Sequence, residues 1–158
     1  MSANTLSFLL SVIKFFEEAD LPVWVFGGWA EELWQITPKR THNDIDFLYP
    51  AATFENLDRF VAQTEDFQEI QAKRFSQKRA IVYQYVMIEF LLVQGGDRDY
   101  FTNFFSGRYR LAWPADVFCH HVNLSGYDFR VASTQALTDY RQHHEQVEQA
   151  YQGFLTTC

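Results

Sequence analysis

Apolar residues recur along this chain in two rhythms. Near the N-terminus Leu6, Leu9, Leu10, Ile13, Phe15 and Phe16 return at helical spacing, with Asn4 or Thr5 placed to cap the start and Asp20 and Pro22 to end it. Val23 to Phe26 is then a continuous apolar run, short enough for a buried strand and broken by Gly27-Gly28. A second helix is predicted from the glycines to Gln35, and Thr37-Pro38 opens a polar loop through Asn43. Asp44 to Tyr49 reads as the second strand, ended by Pro50. Thr53 to Thr64 returns to helical spacing, with Phe54, Leu57, Phe60 and Val61 on one side.

The strand rhythm dominates the second half. Phe67 to Gln71 predicts a short strand. Arg79 to Val86 and Met87 to Val93 form a long β-rich stretch, a hairpin or two consecutive strands with no evident turn, stopped by Gly95-Gly96. Asp97 to Arg108 carries no clear period, and Tyr109 to Trp113 reads as a strand before Pro114. Ser125-Gly126 between His121–Leu124 and Tyr127–Val131 is a two-residue hairpin signal. Ser133 or Thr134 caps one last helix running to about Gln152. This order predicts an α+β (mixed α/β) class: a mixed β-sheet with helices packed on it, as one domain over residues 1–158.

Composition adds a few limits. A net charge of −7 argues against general nucleic-acid binding through a basic surface, while allowing a local basic patch around a triphosphate. The 16 phenylalanines imply a bulky core or an aromatic-lined pocket. Two cysteines, Cys119 and Cys158, make no disulfide framework, so a reducing compartment is expected, with Cys119 read as a small buried side chain. There is no secretory leader pattern and no apolar run long enough to span a bilayer, so a cytoplasmic, bacterial-type protein is the expectation.

The candidate chemistry lies between Gly27 and Glu89. Asp44 and Asp46 are two apart, so on a strand both point to one face, while Ile45 and Phe47 point to the other. Two carboxylates that close repel unless a cation lies between them, and Mg²⁺ prefers such oxygen ligands together with substrate phosphates. An exposed edge strand is the alternative. Glu89 stands inside the apolar run Val86 to Val93, where an ionisable group must be paired, coordinated or on a wet face. If its strand neighbours that of Asp44, Glu89 faces the same centre as a ligand or as a base for an acceptor hydroxyl. Gly27 and Gly28 allow close backbone approach to phosphate oxygens, and Lys39, Arg40 and His42 can neutralise a triphosphate; a solvated loop is the alternative for Lys39 and Arg40. Trp29, Trp24 and Trp113 read as packing residues, and Gly95 to Phe101 as an acidic turn in preference to an acceptor-binding loop. The pairs His120-His121 and His143-His144 match no structural zinc spacing.

The stretch VWVFGGWAEELW…KRTHNDIDF resembles the small antibiotic nucleotidyltransferases of the DNA polymerase β-like superfamily, of the lincosamide nucleotidyltransferase and aminoglycoside adenylyltransferase type. The residues that carry the resemblance are Gly27, Gly28, Trp29, Glu32, Arg40, His42, Asp44 and Asp46. It implies a nucleotidyltransferase fold and transfer of a nucleoside monophosphate from an NTP, by analogy ATP, to a hydroxyl of a small acceptor such as an aminoglycoside or lincosamide. It further implies two Mg²⁺ ions on Asp44 and Asp46, with Glu89 as third carboxylate, and leaves a homodimer open. The sequence departs from the family pattern at Glu89 and Glu32, where Asp is usual, and at Ile36, where Gly is common. A minimal nucleotidyltransferase acting on a protein or tRNA, as in toxin–antitoxin pairs, and a degenerate non-catalytic binder of this fold are the competing expectations.

Overall fold

The structure, a computed structural model, describes residues 4–157, so Cys158 lies outside the described residues. Helix α1 spans Leu6–Glu18, and Thr5 caps it by accepting the Phe8 N–H at 3.2 Å. Its apolar stripe, Leu9, Val12, Ile13 and Phe16, is buried. Strand β1 (Trp24–Phe26) leads into α2 (Gly27–Leu33), and β2 spans Asp44–Pro50. Helix α3 is Glu55–Gln63, and a two-residue β3 (Gln68–Glu69) precedes a 3-10 turn over Gln71–Lys73.

The long β-rich stretch is a hairpin of β4 (Lys78–Tyr83) and β5 (Val86–Gly96). Gln84 and Tyr85 make its turn with φ of 48° and 68°, the left-handed pair that a two-residue hairpin needs. Neither is Gly, Asn or Asp, which explains why the turn leaves no signal in the sequence. Gly95-Gly96 does not stop β5. The strand continues through both glycines and turns back at Asp97-Arg98 into β6 (Asp99–Phe104), which pairs with β7 (Tyr109–Ala112). A side chain at Gly95 would meet the Asp99 carbonyl oxygen, so this glycine permits the close approach of β6.

The main sheet runs β1-β2-β5-β4-β3, with β6 and β7 continuing from the end of β5. Among the named strands β2 and β5 are the parallel pair, and all other pairings are antiparallel. Strand β2 therefore sits between two neighbours and is not the edge strand weighed as an alternative for Asp44 and Asp46. A separate hairpin, β8 (His121–Leu124) and β9 (Tyr127–Arg130), turns at Ser125-Gly126 as expected. The single C-terminal helix of the sequence reading is two: α4 (Thr134–Gln142), capped by Ser133, and α5 (His144–Thr156), with His143 between them.

Alternation along the central strands builds two cores. Ile45, Phe47, Ile88 and Phe90 face α1 and α3, where Phe16 makes edge-on contacts with Phe47, Phe60 and Phe90. Trp24, Phe26, Leu48 and Val93 face the opposite way, toward β6, β7 and the C-terminal helices. The three tryptophans expected in packing roles, Trp24, Trp29 and Trp113, are all buried. Cys119, expected inside, is exposed.

Candidate active site

The parallel pairing of β2 with β5 sets Asp46 directly opposite Glu89 and Asp44 opposite Met87. Register partners in adjacent strands share a face, so Asp44, Asp46 and Glu89 all lie on the side of the sheet away from α1. This resolves the oddity of a glutamate in an apolar run. Val86, Ile88 and Phe90 point into one core, while Glu89 points into a cleft between the sheet and α4–α5. The cleft encloses about 660 Å³. Asp46 and Glu89 lie in its wall with Gly27, Lys73, Lys78 and Tyr140.

Glu89 is held by two lysines that the sequence reading did not single out. Lys78 Nζ lies 2.7 Å from one carboxylate oxygen and Lys73 Nζ 3.3 Å from the other. Lys78 comes from the neighbouring strand β4 and Lys73 from the 3-10 turn before it. No sequence motif marks them, because the β4–β5 pairing brings Lys78 to Glu89 and the fold of the preceding 3-10 turn brings Lys73. Among the described residues no three His, Cys, Asp or Glu side chains converge as a preformed metal-ligand set; in this structure Glu89 faces the lysines.

Asp46 bears the electrostatic load. Its pKa is pushed up from 3.8 to about 7, first by burial and then by the charges of Asp44 and Glu89, with Lys78 and Lys73 opposing. The same charges act on Tyr140, whose pKa is raised to about 12 by burial and then by Asp46 and Glu89. Its ring is fixed by stacking on Trp113 and an edge contact with Phe26.

The diglycine corner has a steric reason. Gly27 has φ +60°, and a Cβ there would fall 2.4 Å from Asp46 Oδ2. A side chain at this position cannot coexist with Asp46 as placed. At Gly28 a Cβ would fall 2.8 Å from Arg40 Nη2 and 3.2 Å from His42 Nδ1, so this glycine lets the loop that carries both residues lie against α2.

That loop is fastened by Glu32. One of its carboxylate oxygens accepts the Arg40 backbone N–H at 3.1 Å and His42 Nε2–H at 2.9 Å. A carboxylate only accepts, so the His42 proton sits on Nε2. His42 is buried and stacks on Trp29, with ring centroids 4.0 Å apart. These are the contacts of a residue that positions the loop. Lys39 and Arg40 are exposed, and Asp44, Gly28, Lys39, Arg40 and His42 do not line the cleft, although Asp44 shares its face of the sheet with Asp46. Asp97 and Asp99 sit at the β5–β6 turn, also outside it.

The strand order, the diglycine corner and the carboxylates on parallel β2 and β5 define an α+β nucleotidyltransferase fold. Solved structures share it. The lincomycin-bound lincosamide antibiotic adenylyltransferase LnuA superposes with a TM-score of 0.70 at 16% identity, over 93% of this chain and 96% of that one. ANT(2″)-Ia in complex with adenylyl-2″-tobramycin gives 0.58 at 15%, over 96% and 87%. A candidate nucleotidyltransferase of Thermotoga maritima gives 0.58 at 14%, over 100% and 97%. No curated protein sequence matches significantly. Residues 8–157 match the aminoglycoside-2″-adenylyltransferase family, so the chain belongs to that family and is an adenylyltransferase-like enzyme. No helix among the described residues is long and apolar enough to cross a membrane.

Proposed function

We propose that this enzyme transfers a nucleoside monophosphate from an NTP, ATP by family analogy, to a hydroxyl of a small acceptor, an antibiotic of the aminoglycoside or lincosamide type, with release of pyrophosphate. The observation that supports it most is the register Asp46 opposite Glu89 on parallel strands, with Asp44 on the same face.

Two carboxylates on one face, Asp44 and Asp46, with Gly27 leaving the space beside Asp46 open, support a divalent cation there. Asp46 is raised to about 7 by burial and two neighbouring carboxylates, and the two lysines leave that excess only partly compensated. Asp44 and Asp46 would hold Mg²⁺, joined by Glu89 if it leaves its lysines. Bound there, the ion supplies charge neutralisation and polarisation at the phosphates. Gly27 keeps the space beside Asp46 open. Lys73 and Lys78 bring positive charge into the cleft, and Lys39 and Arg40 offer it at the exposed loop beside Gly28. Glu32, His42 and Trp29 set the position of that loop. The chain's contribution is positioning and electrostatic complementarity at the transferring phosphoryl group, with Glu89 also within the cleft as a candidate base for the acceptor hydroxyl.

The test is a pyrophosphate-release screen over the four NTPs, with and without a panel of aminoglycosides and lincosamides. Acceptor-dependent release with at least one nucleotide is expected, together with NTP binding that tightens when Mg²⁺ is added. Nucleotide binding indifferent to Mg²⁺, without release for any acceptor, would instead mark a non-catalytic binder.

A further inference from the structure

We infer that the cleft selects a hydroxylated acceptor with one ammonium group on an otherwise apolar or neutral body, in preference to a polycation. This rests on the transfer reading above and names the acceptor class for it. Four carboxylates line the cleft: Glu31, Asp46, Glu89 and Glu148. Asp46 is assigned to the cation-binding pair. Glu89 is neutralised by Lys73 and Lys78, and Glu31 accepts from Arg141 Nη2 at 2.5 Å while itself buried. Arg141 and both lysines also line the cleft.

Glu148 differs. Among the described residues no basic group lies within 4.0 Å of it, and it accepts a hydrogen bond from Gln152 Nε2 at 3.3 Å. It sits on exposed α5 at the rim, open to an incoming cation. One uncommitted carboxylate matches one ammonium. A second or third ammonium would have to displace Lys78 or the largely exposed Arg141 from an ion pair already made, exchanging one solvent-screened contact for an equivalent one with no net gain.

The remaining wall is apolar. Phe75, Phe104, Phe105, Val147 and Tyr151 line it, and Phe105 is fixed because Gln77 Oε1 accepts its backbone N–H at 3.0 Å. An apolar moiety gains from that surface, whereas an ammonium buried against it without a carboxylate is penalised. The net charge of −7 therefore resides mainly outside the cleft, whose lining acids and bases nearly balance.

Two probes decide it: lincomycin, with one amine, and tobramycin, with several. Each is titrated calorimetrically into the full chain, with and without Mg²⁺ and a non-hydrolysable ATP analogue, and each is tested for pyrophosphate release from ATP. Lincomycin is expected to bind more tightly by about tenfold or more. Glu148→Gln should weaken lincomycin by about three- to fivefold, with Glu148→Asp restoring most of it and nucleotide affinity unmoved in both. Tobramycin binding as tightly or more tightly, or neither compound binding under either condition, overturns the inference. So does a Glu148→Gln variant that folds as wild type and binds lincomycin unchanged. Pyrophosphate release with tobramycin alone would overturn the acceptor class while leaving nucleotidyl transfer standing. Selective lincomycin binding without any release would do the reverse.

Discussion

Asp46 and Glu89 face each other across the parallel β2–β5 ladder, and each meets its charge problem differently. Glu89 is balanced by Lys73 and Lys78. Asp46 has no ion-pair partner among the described residues and carries the raised pKa. That asymmetry supports the proposed placement of a cation at Asp46, and it leads to the first prediction.

Asp46→Asn should abolish turnover yet stabilise the metal-free protein. The folded-state pKa of Asp46 is about 7 against 3.8 for the free group, so between these values the folded state binds more protons than the unfolded one. Wild-type stability attributable to Asp46 is full below about pH 4 and is lost as pH rises through about 7. In chelator-treated samples the amide removes this loss, so the variant's melting advantage should be absent near pH 4 and complete by pH 8, on the order of 2–4 kcal/mol. Thermal melts at several pH values check it. An advantage that grows toward acid pH would contradict the assigned environment.

Gly27→Ala should lose activity out of proportion to stability. The new methyl would fall 2.4 Å from Asp46 Oδ2, and the φ of +60° adds strain of about 1–2 kcal/mol for a residue with a side chain. Modest loss in the melt and near-complete loss of pyrophosphate release are expected. Full activity would mean that the corner does not shape the Asp46 site.

Glu32→Ala should loosen the loop of residues 37–43. It strands the Nε2–H of buried His42, a cost of about 1–3 kcal/mol, and hands the Arg40 backbone N–H, which is exposed, to water. Glu32→Gln keeps an acceptor oxygen and should recover part of it. Comparing the two by denaturant melts and by KM for nucleotide separates the loop's stability from its part in nucleotide binding.

Thr102→Val addresses stability away from the cleft. Thr102 is fully buried; its hydroxyl donates to the Leu92 carbonyl at 2.7 Å and accepts from Trp113 Nε1 at 2.8 Å. Valine fills the same space and leaves both partners unsatisfied, so destabilisation of about 1–3 kcal/mol is expected. A near-neutral melt would show that the indole N–H finds another acceptor.

Much of the architecture was legible in the periods of the chain. Thr5 and Ser133 cap the helices they were placed to cap, and Ser125-Gly126 turns the hairpin it marks. What was missed lacked local chemistry. The Gln84-Tyr85 turn uses residues without turn preference, and β5 runs through two glycines that ordinarily end a strand. The break at His143 occurs within a stretch of polar residues that could all continue a helix, where Tyr109 from β7 places its hydroxyl 2.5 Å from His143 Nδ1.

The chain by itself determined that Asp44 and Asp46 share a face, because side chains alternate along any strand, and that a glycine corner precedes them. It could not determine what stands across from them. Parallel pairing of β2 with β5 is a contact between segments separated by a helix, a short strand and a hairpin arm, and its register is set by burying Ile45, Phe47, Ile88 and Phe90 in one core. That burial, a property of the assembled sheet, turns Glu89 toward Asp46 and toward the lysines Lys73 and Lys78.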